Sequence, residues 1–126
     1  MMTGIDIVKI ERIEKLLEKH PDKALKRFLH EEEIALAQSA ETVAGFYAAK
    51  EAVSKALGHG ISAMCGFHDI KIHKDNRGAP YFTLKRELVE KLQITECALS
   101  ISHDGGFAIA VACIWSKSPS GREICH

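Results

Sequence analysis

An excess of charge of either sign is what this chain of 126 residues most clearly lacks: 17 Lys and Arg balance 17 Asp and Glu, a formal net charge of +0. A strong whole-molecule field for nucleic acid is therefore absent, and a charged partner has to be met by a local patch. Aromatic residues make up only 6%, which leaves few rings on which bases could stack. No nucleic-acid partner is expected. Cys65, Cys97, Cys113 and Cys125 contain no C-x-x-C pair, so a structural zinc site has no paired ligands. The seven histidines are scattered, with none spaced H-x-x-x-H. No basic, apolar, small-residue leader opens the chain, and no apolar run approaches the roughly 18 residues of a membrane span. These absences point to a soluble cytoplasmic protein with reduced thiols and no membrane partner. No internal repeat and no linker divides the chain.

What is present is an ordinary globular composition, 46% hydrophobic and 27% charged, which excludes disordered, collagenous and low-complexity classes. A chain of this size exposes about 6,700 Å² when folded against about 20,000 Å² unfolded, so roughly two thirds of its surface can be buried. One domain over residues 1–116 and a polar tail over 117–126 are the expected organisation. Residues 4–8, Gly-Ile-Asp-Ile-Val, read as a strand. Ile10, Ile13 and Leu17 then recur at helical spacing until Pro21. Residues 24–38 read as short helical pieces. Residues 41–57 read as the longest helix, with Gly58 at its C-cap position. Residues 68–73 alternate as a strand, Asp75-Asn76-Arg77-Gly78 is a turn, and residues 81–84 form a second strand. Residues 85–92 are helical. Residues 98–103 and 107–115 are strands joined at Asp104-Gly105-Gly106. Helices early and antiparallel strands late predict an α+β fold, with helices packed on an antiparallel sheet.

Five features carry candidate chemistry. On the long helix, Phe46, Ala49, Val53, Ala56 and Leu57 form an apolar stripe. The other face holds Glu51 and Lys55 among Ala44, Tyr47, Ala48 and Ser54. A solvated face with an i, i+4 pair is the plainer reading; so few charges also suit a face covered by a ligand or another subunit. Asp6, among isoleucines on a strand, needs a partner, since an unpaired charge there is costly. Asp6 and Glu51 together offer two carboxylates on separate rigid elements, the donor type that Mg²⁺ prefers. Gly58-His59-Gly60 follows a helix, so a dinucleotide fingerprint lacks its context; a loop that lets a ligand approach the backbone remains open. His103 stands where a strand meets its turn, placed either to bind phosphate or merely to end a hairpin. Finally, Arg12, Lys15 and Lys19 share one helical stripe, Glu11, Glu14 and Glu18 another, and Lys23, Lys26 and Arg27 follow. A neutral chain can thus present a positive strip, although a solvated helix has the same pattern.

Taken together, Gly4-Ile5-Asp6-Ile7, the run Ala48-Ala49-Lys50-Glu51-Ala52-Val53-Ser54-Lys55-Ala56-Leu57-Gly58-His59-Gly60, Asp69-Ile70-Lys71-Ile72, Gly78-Ala79-Pro80 and Ser100-Ile101-Ser102-His103 resemble the holo-[acyl-carrier-protein] synthases, the small bacterial class of 4′-phosphopantetheinyl transferases. The resemblance runs from about residue 4 to residue 114. It implies the fold of that family and Mg²⁺-dependent transfer of the 4′-phosphopantetheine arm from coenzyme A to a serine of apo acyl carrier protein. Adenosine 3′,5′-bisphosphate is the other product, and fatty acid biosynthesis the setting. It further implies that Asp6 and Glu51 hold Mg²⁺ and that Lys55 grips the pyrophosphate. His103, Gly58, His59 and Gly60 would line the nucleotide end, with Glu51, Lys55 and His103 as the catalytic set. The acidic carrier protein would dock on Arg12, Lys15, Lys19, Lys23, Lys26 and Arg27. A homotrimer with active sites between subunits is also implied. The acceptor of the serine proton stays open between a water or hydroxide and an acid such as Glu51. One departure stands out: many relatives read Gly-Arg-Phe where this chain reads Gly45-Phe46-Tyr47, which makes Lys50 and His59 candidate replacements for the missing arginine. Two rival readings are a catalytically silent coenzyme A or carrier-protein binding module, and a nucleic-acid binder using the basic strip.

Overall fold

A computed structural model describes residues 1–58, 60–62 and 64–117. The chain opens with β1 (Met2–Lys9), whose alternation turns Gly4, Asp6 and Val8 inward and Ile5 and Ile7 outward. Helix α1 (Ile10–Lys19) follows without a break, its Ile10 and Ile13 buried. Pro21 does more than end it: it occupies the first turn of α2 (Pro21–Phe28), where its missing N–H is harmless. The short α3 (Glu31–Leu36) precedes α4 (Ala40–Ala56), whose N-terminus is capped by Ser39 accepting a 3.2 Å hydrogen bond from the Thr42 N–H. After a 3₁₀ turn at Phe67–Asp69 come β2 (Ile70–Lys74), β3 (Pro80–Leu84), α5 (Arg86–Leu92), β4 (Ile94–Asp104) and β5 (Phe107–Ser116).

The predicted α+β architecture is present, with its strands divided between two antiparallel sheets. One has the order β1-β5-β4, so the first strand lies beside the last; the other pairs β2 with β3. The β4–β5 connection is a two-residue turn, Gly105-Gly106, with Asp104 opposite Phe107. Helix α4 lies across β1 and β5 and is the centre of the core. The Ala44, Ala48 and Ser54 side of this helix is covered, as its lack of charge suggests, but within this chain it is β1 and β5 that pack on α4. A helix apolar on nearly every side must be buried on nearly every side. Among the described residues no helix is long and apolar enough to cross a membrane. Residues 118–126, the predicted tail beyond Lys117, lie outside the described residues.

The strand approaches the helix unusually closely. A Cβ built on Gly4 would stand 1.9 Å from the Ala52 carbonyl oxygen and 2.7 Å from the Ala56 nitrogen. Only glycine permits such backbone contact.

A second fixed point lies on the far side of α4. Lys50 and Glu33, both 0% exposed, form a 2.7 Å ion pair. Lys50 Nζ also donates to the Phe28 carbonyl at 2.8 Å and the Phe67 carbonyl at 3.0 Å. Glu33 accepts from the His30 N–H at 2.6 Å and from the Ile72 N–H at 2.7 Å. One pair thereby ties α2, α3, α4, the 3₁₀ turn and β2. Burial pushes the lysine's proton affinity down and Glu33 works against that push. Removing one member leaves a buried charge uncompensated, which costs about 3–5 kcal/mol. Lys50→Met should therefore lower unfolding free energy by that amount in urea titration, and adding Glu33→Gln should recover part of the loss.

Candidate active site

The close approach at Gly4 sets the next inward residue of β1, Asp6, beside the solvent-facing edge of α4. The Asp6 side chain is 15% exposed, and Lys55 Nζ donates to its Oδ1 at 2.8 Å and to the Ile5 carbonyl at 3.2 Å. The i, i+4 neighbour Glu51 is therefore not the group that Lys55 turns to. Glu51 is half-buried one turn earlier, and Tyr47 one turn earlier still. Burial first, and the negative charge of Asp6 second, raise the pKa of Glu51; a hydrogen bond with Tyr47 and the charges of Lys55 and Arg12 oppose the rise. Tyr47 is itself shifted upward, chiefly by burial and then by Glu51.

A strand carboxylate and a helix carboxylate are thus near enough for the charge of Asp6 to help raise the pKa of Glu51. Their donor set fits a hard divalent cation, which takes oxygen ligands and would relieve that repulsion. No cluster of three or more His, Cys, Asp or Glu is assembled among the described residues. The remaining positions around such a cation would fall to water and to substrate oxygens, the usual habit of Mg²⁺.

Near Glu51, with Arg12 and Tyr47 in its lining, lies a cleft of about 850 Å³. Ile13, Leu16, Phe28, Tyr47 and Phe67 make its apolar lining, and Arg12, His20, Lys23, Lys26 and Arg27 its basic border. Four of the six basic residues singled out in the sequence converge here. Lys15 and Lys19 do not: Lys15 pairs with Glu11 at 3.1 Å and borders a smaller groove of about 300 Å³ with Lys9 and Arg12.

The nucleotide-end candidates are distributed differently. His103 lies on β4, opposite Ala108, and borders a separate cleft with Glu14, Thr42 and Asp104. Asp6 is on β1, opposite Ala110. With β5 between them, the two positions stand about 10 Å apart across the strands and about 7 Å along them. Within one chain the structure therefore does not join His103 to Asp6, Glu51 and Lys55. Gly58 and Gly60 form the turn beyond the Lys55 end of α4, at φ 89° and 63°, and the Gly60 N–H returns to the Ser54 carbonyl at 3.2 Å. That left-handed turn accounts for the second glycine as well as the first. His59 lies outside the described residues. Lys50 is no substitute for the arginine of the relatives, because it is locked in its buried pair with Glu33. Phe46 is 1% exposed, and Lys74 Nζ stands 6.0 Å over its ring.

Glu33 and Tyr47 were not apparent as site-building residues. A helix of three consecutive glutamates conceals which one turns inward. Tyr47 was visible only as a neighbour of the charged face, although its i, i+4 spacing to Glu51 was there to be read.

The raised pKa of Glu51 has a consequence for stability. The folded protein binds this proton more tightly than the unfolded chain does, so at neutral pH the folded state carries the charge at a disadvantage. That disadvantage fades as pH falls through the raised value and is gone below the ordinary glutamate value of 4.5. Glu51→Gln should therefore raise Tm of the ligand-free protein at pH 7. The gain should vanish below pH 4.5 in calorimetric scans across pH.

The model of the 4′-phosphopantetheinyl transferase superfamily matches residues 2–112. A holo-[acyl-carrier-protein] synthase of Sulfurovum sp. (strain NBC37-1) is 56% identical over 114 residues, spanning 90% of this chain and 96% of that one. The synthase of Wolinella succinogenes is 57% identical over 110 residues, 87% of this chain and 93% of its own. Among solved structures, the Helicobacter pylori holo-[acyl-carrier-protein] synthase in complex with coenzyme A has a TM-score of 0.88 at 48% identity, over 90% of this chain and 100% of that chain. The Bacillus anthracis synthase in complex with CoA (3′,5′-ADP) has a TM-score of 0.77 at 38% identity, over 91% and 96%. With nine tenths of its length matched by named synthases and its fold shared with their solved structures, the chain belongs to the 4′-phosphopantetheinyl transferase superfamily, among the holo-[acyl-carrier-protein] synthases.

Proposed function

We propose that this enzyme moves the 4′-phosphopantetheine arm of coenzyme A to a serine of apo acyl carrier protein at the site built by Asp6, Glu51 and Lys55. The observation that carries the proposal is the 2.8 Å ion pair that ties Asp6 of β1 to Lys55 of α4, with Glu51 one helical turn before Lys55. The serine oxygen forms a bond to the phosphorus of the arm, and the pyrophosphate bond breaks. Its electrons stay with adenosine 3′,5′-bisphosphate, and the serine proton passes to a water or hydroxide or to a carboxylate such as that of Glu51. Asp6 and Glu51 are the residues that would hold Mg²⁺, which when bound would neutralise charge growing on the departing phosphate. Lys55 acts as a point charge for pyrophosphate oxygens: its ammonium is half exposed, and Nζ donates to the Ile5 carbonyl as well as to Asp6. Gly58 and Gly60 offer backbone that a nucleotide can approach.

Carrier-protein docking is assigned to the cleft beside this pair. Arg12, Lys23, Lys26 and Arg27 would meet acidic side chains, and the apolar lining would receive what lies between them. Lys15 and Lys19 remain on the same helix as more distant members of the positive strip. The setting we propose is the cytoplasm, in fatty acid biosynthesis; Cys65, Cys97 and Cys113 are free thiols.

The working unit is proposed to be a homotrimer. The outward face of the β1-β5-β4 sheet exposes Ile5 by 60%, Ile7 by 58%, Phe107 by 36% and Val111 by 37%. Ile5 stands beside Val111 and Ile7 beside Ile109, so these side chains form a continuous apolar patch of the kind that marks association. Two further copies of this chain are its proposed cover. The separation of His103 from Asp6 and Glu51 within one chain supports a composite site, in which His103 serves the nucleotide held by a neighbouring copy.

The deciding assay mixes the protein with coenzyme A, Mg²⁺ and apo carrier protein and follows carrier mass. Addition of the arm is expected. A folded wild type that adds nothing would overturn the proposal, and coenzyme A binding indifferent to Mg²⁺ would then point to a silent binding module. Asp6→Ala and Glu51→Ala should each lower turnover by at least about a hundredfold while remaining folded. Sedimentation velocity should give three times 13.9 kDa for the wild type and a smaller species for Ile7→Glu. A wild type that sediments as a monomer at assay concentration contradicts the trimer.

A further inference from the structure

His20 stands at the corner between α1 and α2. Its N–H donates to the Leu16 carbonyl at 3.2 Å, and its own carbonyl accepts from the Ala24 N–H at 2.8 Å. It thus closes one helix and opens the next, and Pro21 restricts its backbone further. The side chain therefore springs from a fixed root, and it lines the basic cleft. Two other histidines have engaged rings: His30 Nε2 donates to the His68 carbonyl at 2.9 Å, and His73 Nε2 bonds the Thr83 hydroxyl at 2.8 Å. The exposed ring of His20 has no hydrogen-bond partner among the described residues. The charged groups that line the cleft with it are Arg12 of α1 and Lys23, Lys26 and Arg27 of α2. From α4 comes the Tyr47 phenol, and from the 3₁₀ turn the apolar Phe67. Among the described residues no carboxylate lines this cleft; Lys19 and Asp22, beside His20 in sequence, are exposed and stand outside its lining. Lysine and arginine keep their charge throughout the neutral range. Histidine is the one cleft residue whose charge changes there.

We infer that His20 makes docking of the acidic carrier protein depend on pH: its imidazole takes up a proton as acidic side chains enter the cleft. A carboxylate brought close to an imidazole favours the charged form. The complex then binds more protons than its separate components, so affinity rises as pH falls through the ordinary histidine value of about 6.5. The gain levels off once the free imidazole is itself charged. An exposed charge pair of this kind changes affinity by about fivefold at most. That is enough to tune docking and too little to gate it. Added salt should erase it.

The inference rests on the carrier docking in this cleft, so its test reads the two separately. Calorimetry follows binding of apo carrier protein at low salt, without coenzyme A, between about pH 8 and about pH 6. Two buffers of different ionisation enthalpy count the protons taken up. The wild type should bind about threefold to fivefold more tightly at the lower pH and take up a fraction of a proton on the way. His20→Gln keeps a polar side chain that does not titrate. It should hold the weaker affinity throughout and lose that proton uptake. His20→Lys fixes the positive charge, and at the higher pH it should bind about as tightly as the wild type does at the lower. The position is exposed, so both variants are expected to fold, with Tm as the check. Wild-type pH dependence in His20→Gln, or none in the wild type, overturns the inference alone when Lys26→Glu still weakens binding. Undiminished carrier binding in both Lys26→Glu and Arg27→Glu overturns the docking reading and the inference with it.

Discussion

The backbone contact between β1 and α4 at Gly4 is the constraint from which the site follows. A strand that approaches a helix to within touching distance cannot present a long gap between their side chains. Asp6, two residues beyond Gly4, thus reaches Lys55 at 2.8 Å. The contact also explains the alanines of α4. Ala48, Ala52 and Ala56 recur at four-residue spacing and are fully buried, a smooth track on which the strand can lie. Larger side chains there would push β1 outward, and the carboxylates would part.

The adjacent residues Lys50 and Glu51 show how one helix can serve two ends. About 100° of rotation separates neighbours on a helix. Lys50 therefore turns into the core to meet Glu33, and Glu51 turns to the edge to meet Asp6. The buried pair holds α3, β2 and the 3₁₀ turn against one side of α4 while the strand holds the other. A helix gripped from both sides has little room to shift, which suits a residue that must keep a fixed distance from a carboxylate on another element.

Much of this was legible in the sequence because it depends on local rules. The period change near residue 9, the alanine-rich helix ending at Gly58 and the turns at Asp75-Gly78 and Gly105-Gly106 all appear where periodicity and turn chemistry put them. Asp6, Glu51 and Lys55 stood out as candidates because charges among apolar neighbours require explanation, and the family resemblance supplied the roles expected of them. What stayed hidden depends on pairing over long separations. The meeting of Glu33 with Lys50, 17 residues away, and with Ile72, 39 residues away, has no local signature. The partition of the basic strip was equally invisible: α2 folds back so that Lys23, Lys26 and Arg27 face Arg12, while Lys15 turns to Glu11. The placement of His103 across β5 from Asp6 follows from strand order, which hydropathy does not record.

That strand order also bears on how the chain comes into being. Residue 6 leaves the ribosome early, yet its strand is held by Ala108, Ala110 and Ala112, among the last described residues to emerge. Closing so long a loop is entropically slow and rewards nothing until the final strand is available. Glu51 and Lys55 lie on one helix whose backbone hydrogen bonds are local, whereas the placing of Asp6 waits for β5. Asp6 is therefore held beside Lys55 only once β5 is in place. A chain cut short before β5 would retain Asp6, Glu51 and Lys55 and still have no strand to hold them together.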